Sequence, residues 1–234
     1  MSSPLSITAL DGSGTFSGYL ALPPGGTGPG LVMAQEIFGV NFNMRELADT
    51  FAQLGYVVAV PDLFWRIQPG IELGYTPEDW KKAFEYFQAL DQGKAVEDIQ
   101  ATLTALRAHP AVAGGKAGVV GYCLGGKLAY LAACRTDSDV SVGYYGVGIE
   151  AALDEAANIR QPVLLHIAEK DGFCPPEARE AIVKAFAGHA QVTTQVYPGV
   201  DHAFARPAGE HYDAAAATLA NQRTADALAQ HLKG

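Results

Sequence analysis

The sequence predicts an α/β fold: a mostly parallel central sheet with an antiparallel N-terminal hairpin and helices on both faces. Three observations support this prediction. Short apolar runs typical of buried strands alternate with amphipathic helical segments. The turn sequence 11–14 separates the first two strand-like runs. The length of 234 residues predicts a single domain, 1–234, because folds of this class often run this long as one unit.

The N-terminal half opens with the hairpin and then alternates strands with helices. Its predicted strands span 5–10, 15–22, 31–34 and 56–60, and its predicted helices span 43–54 and 96–108, with a further helix opening at residue 76. Asn43 is the expected cap of the first helix, with Glu46 in the capping-box position. Thr76 followed by Pro77 is a typical helix start. The stretch 23–30 is a connecting loop, since its prolines lack the amide donors of a phosphate cradle.

The C-terminal half continues the alternation. Its predicted strands span 117–120, 140–145, 162–167 and 192–197, and its predicted helices include 127–135 and 212–232. Catalytic groups in such a sheet gather at the carboxyl ends of the strands. The loops that follow these strands are therefore where we look for chemistry.

Composition excludes several function classes. The 16 Lys and Arg against 25 Asp and Glu give a formal charge of −9, which argues against a nucleic-acid partner. The three cysteines form no CxxC pair, and neither a signal peptide nor a membrane-length apolar run is visible. We therefore expect a cytoplasmic protein that acts on a small molecule without a membrane partner. No nucleotide fingerprint or metal-binding cluster is visible, so neither a cofactor nor a metal is expected.

The segment 121–126, Gly-Tyr-Cys-Leu-Gly-Gly, has the pattern of a nucleophile elbow with Cys123 at its tip. Small residues are needed on both sides of such a nucleophile, because strand and helix pack closely at a strained turn. The helix that follows directs its N-terminal amides and positive dipole end at the sulfur. The alternative is a buried cysteine in a glycine-rich turn.

A cysteine nucleophile needs a base and a third group that orients the base. Asp171 follows the strand 162–167, and His202 follows the strand 192–197. Nucleophile, acid and histidine thus occur in the chain order that this type of sheet uses. Asp201 is a rival for the orienting role, whereas His166 lies within an apolar strand and is expected to be a core residue.

Two backbone amides are expected to form an oxyanion hole. Leu124 follows the nucleophile, and Ile37 lies in the loop after the first core strand, where this fold supplies a second donor. Glu36 precedes Ile37. Its carboxylate is either an ordinary loop group or one that faces the thiol.

Four blocks resemble the dienelactone hydrolase family from the first hairpin to the last helix. They are the segments 36–39 (EIFG), 121–126 (GYCLGG), 143–146 (GYYG) and 202–206 (HAFAR). The resemblance implies an α/β-hydrolase fold and a triad of Cys123, His202 and Asp171. It also implies an activity, the opening of carboxymethylenebutenolide (dienelactone) to maleylacetate, and it favours a monomer.

The resemblance further implies a thiol that is gated by substrate. Glu36 then lies near Cys123, and the resting thiol is neutral and turned away from the histidine. The carboxylate of a bound substrate draws a cation from Glu36, which takes the thiol proton. The physical basis is that a buried carboxylate disfavours a neighbouring thiolate.

The same resemblance makes Arg206 the residue that binds the substrate carboxylate. A second arginine is expected on the helix that opens at residue 76, and there Trp80 takes its place, with Lys81 and Lys82 beside it. Lysine does not reproduce bidentate carboxylate binding, and both lysines are also compatible with a solvated surface. Two further aromatic residues, Tyr144 and Tyr145, are expected either to line the pocket or to belong to the core.

The leading hypothesis is a hydrolase that opens small anionic lactones or enol esters through an acyl-enzyme on Cys123. A second hypothesis keeps the triad and changes the substrate to a simple carboxylic ester or thioester. A third, from another class, is a non-catalytic binding protein in which 121–126 is a tight turn.

Overall fold

The computed structural model describes residues 3–234. The chain divides into two compact units, one ending at Val119 and the other running from Val120 to Gly234. The prediction of a single domain over 1–234 stays a prediction.

The described part of the first unit, residues 3–119, contains five strands or parts of strands and three helices. The strands are β1 (Ser3–Thr8), β2 (Thr15–Ala21), β3 (Gly28–Ala34), β4 (Val57–Pro61) and the N-terminal part of β5 (Val112–Tyr122). The helices are α1 (Phe42–Gln53), α2 (Pro77–Ala89) and α3 (Gln92–Ala108). Within this unit the strand order is β1-β2-β4-β3-β5, with β1–β2 and β2–β4 antiparallel and β3–β4 parallel.

Burial separates the strands of the first unit. Exposed and buried residues alternate in the first part of β2, as expected where only one face is covered, whereas every residue of β4 is buried. β3 begins at Gly28, three residues earlier than predicted. A Cβ at Gly28 would collide with the carbonyl oxygen of Gly55, so the close approach of the two backbones requires glycine there.

The helix starts of this unit are held by side-chain caps. Thr76 and Asp79 form a capping box at the start of α2, which confirms the predicted helix start. The prediction of Asn43 as the cap of α1 was wrong. Asn41 is the cap, because its side chain accepts the Met44 amide at 3.2 Å, and Asn43 lies inside the helix.

The second unit continues from the last residues of β5 in the strand order β5-β6-β7-β8. Its further elements are α4 (Leu124–Arg135), β6 (Ser141–Tyr144), a 3₁₀ segment (Ile149–Asn158), β7 (Val163–Ala168), α5 (Pro176–Phe186), β8 (Val192–Tyr197) and α6 (Ala214–Leu232). The pairs β6–β7 and β7–β8 are parallel. Parallel strands that alternate with helices, after an antiparallel start, confirm the predicted fold class.

Within residues 3–234, none of the helices has the length and apolar character that a membrane span requires.

Candidate active site

Cys123 lies at a sharp turn between β5 and α4. Its backbone is in a left-handed region, at φ 57° and ψ −117°, and α4 begins at the next residue, Leu124. Such a conformation costs a residue with a side chain about 1–3 kcal/mol, and strain of this kind clusters at functional sites. The Cys123 amide donates to the Tyr144 carbonyl oxygen at 3.1 Å, which ties the turn to β6.

The glycines of the segment 121–126 make this turn possible. A Cβ at Gly121 would collide with the carbonyl oxygen of Gly125, and one at Gly126 would collide with that of Tyr144. Strand, turn and helix therefore pack backbone against backbone. This is the geometry that the elbow sequence predicts.

His202 is oriented by Asp171. The ring Nδ1 lies 2.8 Å from Asp171 Oδ2, and each residue is only 4% exposed. Asp171 Oδ1 accepts the Phe173 amide at 2.8 Å, so both carboxylate oxygens have partners. The rival orienter Asp201 bonds instead to backbone, accepting the His202 amide at 2.6 Å.

The pKa of His202 depends on its burial and on two neighbours, Asp171 and Cys123. Burial lowers its pKa, but the charge of Cys123 and the hydrogen bond to Asp171 outweigh burial and raise the pKa to about 10. Its buried Nε2 has no hydrogen-bond partner that meets geometric criteria within residues 3–234. Both the charge of Cys123 and its side-chain contact with the ring raise the pKa of His202.

Two aromatic rings enclose His202. The Tyr145 ring lies 5.1 Å and the Phe173 ring 4.9 Å from the imidazole, both edge to face. Tyr145 was expected from the sequence, whereas Phe173 was not. The Asp171-Gly172-Phe173 turn is the signal that could have found it, because Phe173 donates its amide back to Asp171.

Tyr144 was expected either to line the substrate pocket or to belong to the core, and its contacts in the structure are those of a core residue. Its side chain is fully buried, and its hydroxyl lies 3.0 Å from Asn221 Oδ1 and 2.6 Å from Thr224 Oγ1, both on α6. β6 ends at Tyr144, and Tyr145 lies just beyond it with φ 38°, its ring edge to face with that of Tyr144 at 6.0 Å. Tyr144 is a core residue that fastens α6.

His166 also belongs to this core network, as the sequence analysis expected. Its Nδ1 lies 2.8 Å from the Tyr197 hydroxyl and its Nε2 2.9 Å from Thr224 Oγ1. Burial, followed by the charge of Arg223, lowers its pKa to about 3. His166 is therefore neutral at physiological pH.

The other two cysteines are unreactive by the same physical reasoning. Cys134 and Cys174 are buried and free, and burial raises the pKa of each to about 11. A neutral buried thiol is a poor nucleophile.

Arg206 is a buried cation on the loop that also carries His202. It is 8% exposed, and its amide donates to the Ala203 carbonyl oxygen at 2.9 Å. Ala203 has φ 63°, so the chain turns sharply between the histidine and the arginine. A guanidinium group can bind a carboxylate through two parallel hydrogen bonds, which makes Arg206 chemically suited to an anionic substrate.

Four predicted site residues lie in the first unit. Glu36 and Ile37 follow β3 and are buried, at 1% and 4% exposure. Trp80 on α2 packs edge to face on Phe38, with ring centroids 4.8 Å apart. Lys81 and its neighbour Lys82 are exposed, as expected of solvated surface charges.

Within residues 3–234 no cluster of three or more His, Cys, Asp or Glu side chains could hold a metal ion.

Comparisons with known proteins agree with this geometry. The model of the dienelactone hydrolase family matches residues 16–232. A candidate carboxymethylenebutenolidase of Azospirillum brasilense is 48% identical over 233 residues, covering 97% of this chain and 98% of the relative. The carboxymethylenebutenolidase of Pseudomonas putida is 39% identical over 228 residues, covering 96% and 95%. A candidate dienelactone hydrolase structure from Klebsiella pneumoniae superposes with a TM-score of 0.85 at 26% identity and 98% coverage of both chains. The chain is therefore an enzyme of the dienelactone hydrolase family, with the α/β-hydrolase fold.

Proposed function

We propose that this enzyme opens small anionic lactones or enol esters, with dienelactone giving maleylacetate, through a covalent acyl-enzyme on Cys123. One observation carries the proposal: a buried Asp171–His202 pair is coupled by charge to a cysteine at a strained elbow. The names of the Azospirillum and Pseudomonas relatives support the substrate class.

The reaction proceeds in two half-reactions. The Cys123 sulfur attacks the ring carbonyl carbon, and the resulting tetrahedral oxyanion collapses as the bond to the ring oxygen breaks and an enolate leaves. Water then gives a proton to His202 and attacks the thioester, which releases the acid and the Cys123 thiolate. The thiolate takes the proton from His202, and the enolate takes the proton that Cys123 gave up before the attack, so the resting enzyme is restored. An enolate departs without strong general-acid help, whereas an amide nitrogen does not, so peptides are poor substrates.

The backbone amide of Leu124, in the second unit, is the first proposed donor to the oxyanion. Leu124 is the first residue of α4, and the first amides of a helix have no intrahelical acceptor. The adjacent N-terminus of the helix adds a favourable dipole. The family resemblance makes Ile37 the second donor.

Acylation of Cys123 should lower the pKa of His202. When Cys123 has lost its proton, the charge of the sulfur is one of the effects that raise the pKa of His202. Once the sulfur is acylated that charge is gone, while burial still favours the neutral ring. His202 thereby becomes a better base at the step that must deprotonate water.

Glu36 completes the proposal on the strength of the family resemblance. In the proposed reaction, Glu36 takes the proton of the Cys123 thiol when a substrate carboxylate arrives. We expect Glu36→Gln to lower the rate of Cys123 acylation by dienelactone more than the rate of acylation by a neutral ester. Single-turnover kinetics with both substrates measure this difference.

Arg206 is proposed to hold the substrate carboxylate. A protein of net charge −9 repels an anion at long range, so a buried local cation is needed to bind it. Loss of the cation should weaken binding more than the chemical step.

A second candidate function is hydrolysis of neutral carboxylic esters or thioesters by the same triad. The observation that favours it is Trp80, which packs on Phe38 and Phe84 where the resemblance leads one to expect an arginine. An aromatic surface favours an apolar substrate group over a carboxylate.

The test is the loss of dienelactone ultraviolet absorbance with the unmodified enzyme, Cys123→Ala, Arg206→Ala and a matched control, Cys134→Ala. We expect turnover that Cys123→Ala abolishes, that Arg206→Ala weakens chiefly through KM, and that the control retains. Faster turnover of neutral aryl esters than of dienelactone would favour the second candidate. Folded protein that turns over neither class would contradict both and favour a non-catalytic binding role.

The proposal includes a monomer in the cytoplasm. The family resemblance supports the monomer, and three free cysteines fit a reducing compartment. Sedimentation analysis of the purified enzyme tests the first of these.

A further inference from the structure

Asp171 and His202 each lie on a loop that follows a strand of the sheet. We call residues 169–174, which follow β7, the acid loop, and residues 198–206, which follow β8, the histidine loop. The two strands pair in parallel to their last residues. Two further backbone bonds continue this pairing, from the Glu169 amide to the Tyr197 carbonyl oxygen at 3.0 Å and from the Lys170 amide to the Val200 carbonyl oxygen at 2.9 Å. The loops therefore leave the sheet side by side.

Each loop directs a carboxylate at a backbone amide of the other. Glu169 Oε2 in the acid loop accepts the Gly199 amide at 2.8 Å. Asp201 Oδ1 in the histidine loop accepts the Gly172 amide at 3.3 Å. The same oxygen accepts the His202 amide at 2.6 Å. The loops are thus joined by reciprocal bonds that are separate from the contact between the catalytic side chains.

We propose that Asp201 is a positioning residue for the triad, with Glu169 as its counterpart on the acid loop. One oxygen of Asp201 holds the amide of His202 and that of Gly172, the residue directly after Asp171. Together with the backbone bond from Lys170 to Val200, it therefore holds the spacing of the two backbones from which the catalytic side chains extend. This inference rests on the proposed function, since it concerns how the same triad is held in a productive geometry.

The backbone of His202 depends on these contacts from both sides. Its amide donates to Asp201, and its carbonyl oxygen lies 3.2 Å from His211 Nδ1. The ring Nδ1 is bonded to Asp171 instead, so Asp201 acts through the backbone and not on the reacting atoms. A misplacement of about 1 Å can cost about 100-fold in rate.

The Asp201 side chain lies outside the core of the second unit. Its side chain is 41% exposed, so its removal empties no buried cavity. A variant at this position should fold and should report on positioning. Asn keeps the accepting oxygen and removes the charge, whereas Ala removes both.

The experiment compares Asp201→Ala, Asp201→Asn and Glu169→Ala with the unmodified enzyme, using p-nitrophenyl acetate and dienelactone. Glu180→Ala, which removes an exposed carboxylate from α5, controls for net charge. Active-site titration by the p-nitrophenolate burst counts the competent enzyme. For Asp201→Ala we expect kcat to fall about 10- to 100-fold with KM nearly unchanged. Asp201→Asn should recover most of that loss, and Glu169→Ala should lose less.

The pH profile of kcat/KM separates positioning from general destabilisation. A looser contact between His202 and Asp171 removes one of the effects that raise the pKa of the ring, so the profile of Asp201→Ala should shift to lower pH. An unchanged kcat and profile in Asp201→Ala would overturn the proposal. So would an Asn variant as impaired as the Ala variant. If Asp201→Ala does not fold, Glu169→Ala decides by the same readouts. An unmodified enzyme without Cys123-dependent turnover would instead overturn the proposed function.

Discussion

His166 and His202 lie in the same unit, one on β7 and one just after β8, and both are almost fully buried, yet their pKa values move in opposite directions. The pKa of His166 falls to about 3, whereas that of His202 rises to about 10. Burial is the first cause in both and acts in the same direction. The difference must come from the partners.

The partners of His166 are the hydroxyls of Tyr197 and Thr224, which hydrogen-bond a neutral ring, and its charged neighbour Arg223 is a cation. His202 faces a carboxylate and a cysteine charge. Burial alone therefore does not identify a functional histidine. The sign of the charge that faces the ring separates a core residue from a catalytic one.

The largest expected difference concerns activity. His202→Ala should lower kcat for p-nitrophenyl acetate about 1,000-fold or more, because it removes the general base and the partner of the thiolate. His166→Ala should retain most of the activity per folded molecule. Steady-state kinetics normalised by active-site titration measure both. Comparable losses of kcat in the two variants would contradict the distinction between a catalytic His202 and a core His166.

Stability should depend on both histidines. His166→Ala empties a fully buried site and leaves two hydroxyls short of a partner, so it should lower the free energy of unfolding by about 2–4 kcal/mol. His202→Ala leaves the buried Asp171 carboxylate without its partner, so it should also lower the free energy of unfolding. Urea unfolding of both variants is the measurement. An unchanged stability of His166→Ala would contradict its assignment to the core.

The charge on the sulfur should be visible at the histidine. Cys123→Ala removes one of the effects that raise the pKa of His202, so that pKa should fall below about 10 while the pKa of His166 stays unchanged. NMR titration of the imidazole Cε1 protons in both proteins measures this. An unmoved His202 would show that Asp171 alone sets its pKa.

The smallest expected effect is on the pH dependence of stability. The unfolded His166 takes a proton below about pH 6.5, whereas the folded residue resists until about pH 3, so stability falls as the pH falls through this window. His166→Phe keeps a ring of similar size without a titrating group. It should flatten the dependence by at most about 1.4 kcal/mol per pH unit. If the free energy of unfolding changed with pH to the same extent in the unmodified enzyme and in His166→Phe, the lowered pKa of His166 would be contradicted.

Much of the fold could be predicted from the sequence, because strand and helix periodicity are local signals. The strand β8 was predicted to its ends, and the start of α2 followed from Thr76 and Pro77. The cap of α1 was missed because Asn41 and Asn43 are equally good caps by type, and only the backbone geometry distinguishes them. Chain order brought out Asp171 and His202, which the structure places in contact.

What could not be predicted depends on long-range packing. The position of Tyr144 is set by α6, about 80 residues further along the chain, which no local pattern reveals. The bonds between the acid loop and the histidine loop were missed for the same reason. Asp201 was considered only as a partner of the ring, although it accepts two backbone amides and its Oδ2 lies 4.0 Å from His211 Nδ1.

The most direct test of the central claim is mass spectrometry of the enzyme quenched in acid shortly after mixing with p-nitrophenyl acetate, with Cys123→Ala in parallel. We predict one acetyl group per molecule, on the peptide that contains Cys123, which disappears as hydrolysis is completed and is absent from the variant. Acetylation elsewhere, or full hydrolytic activity in Cys123→Ala, would contradict a cysteine acyl-enzyme.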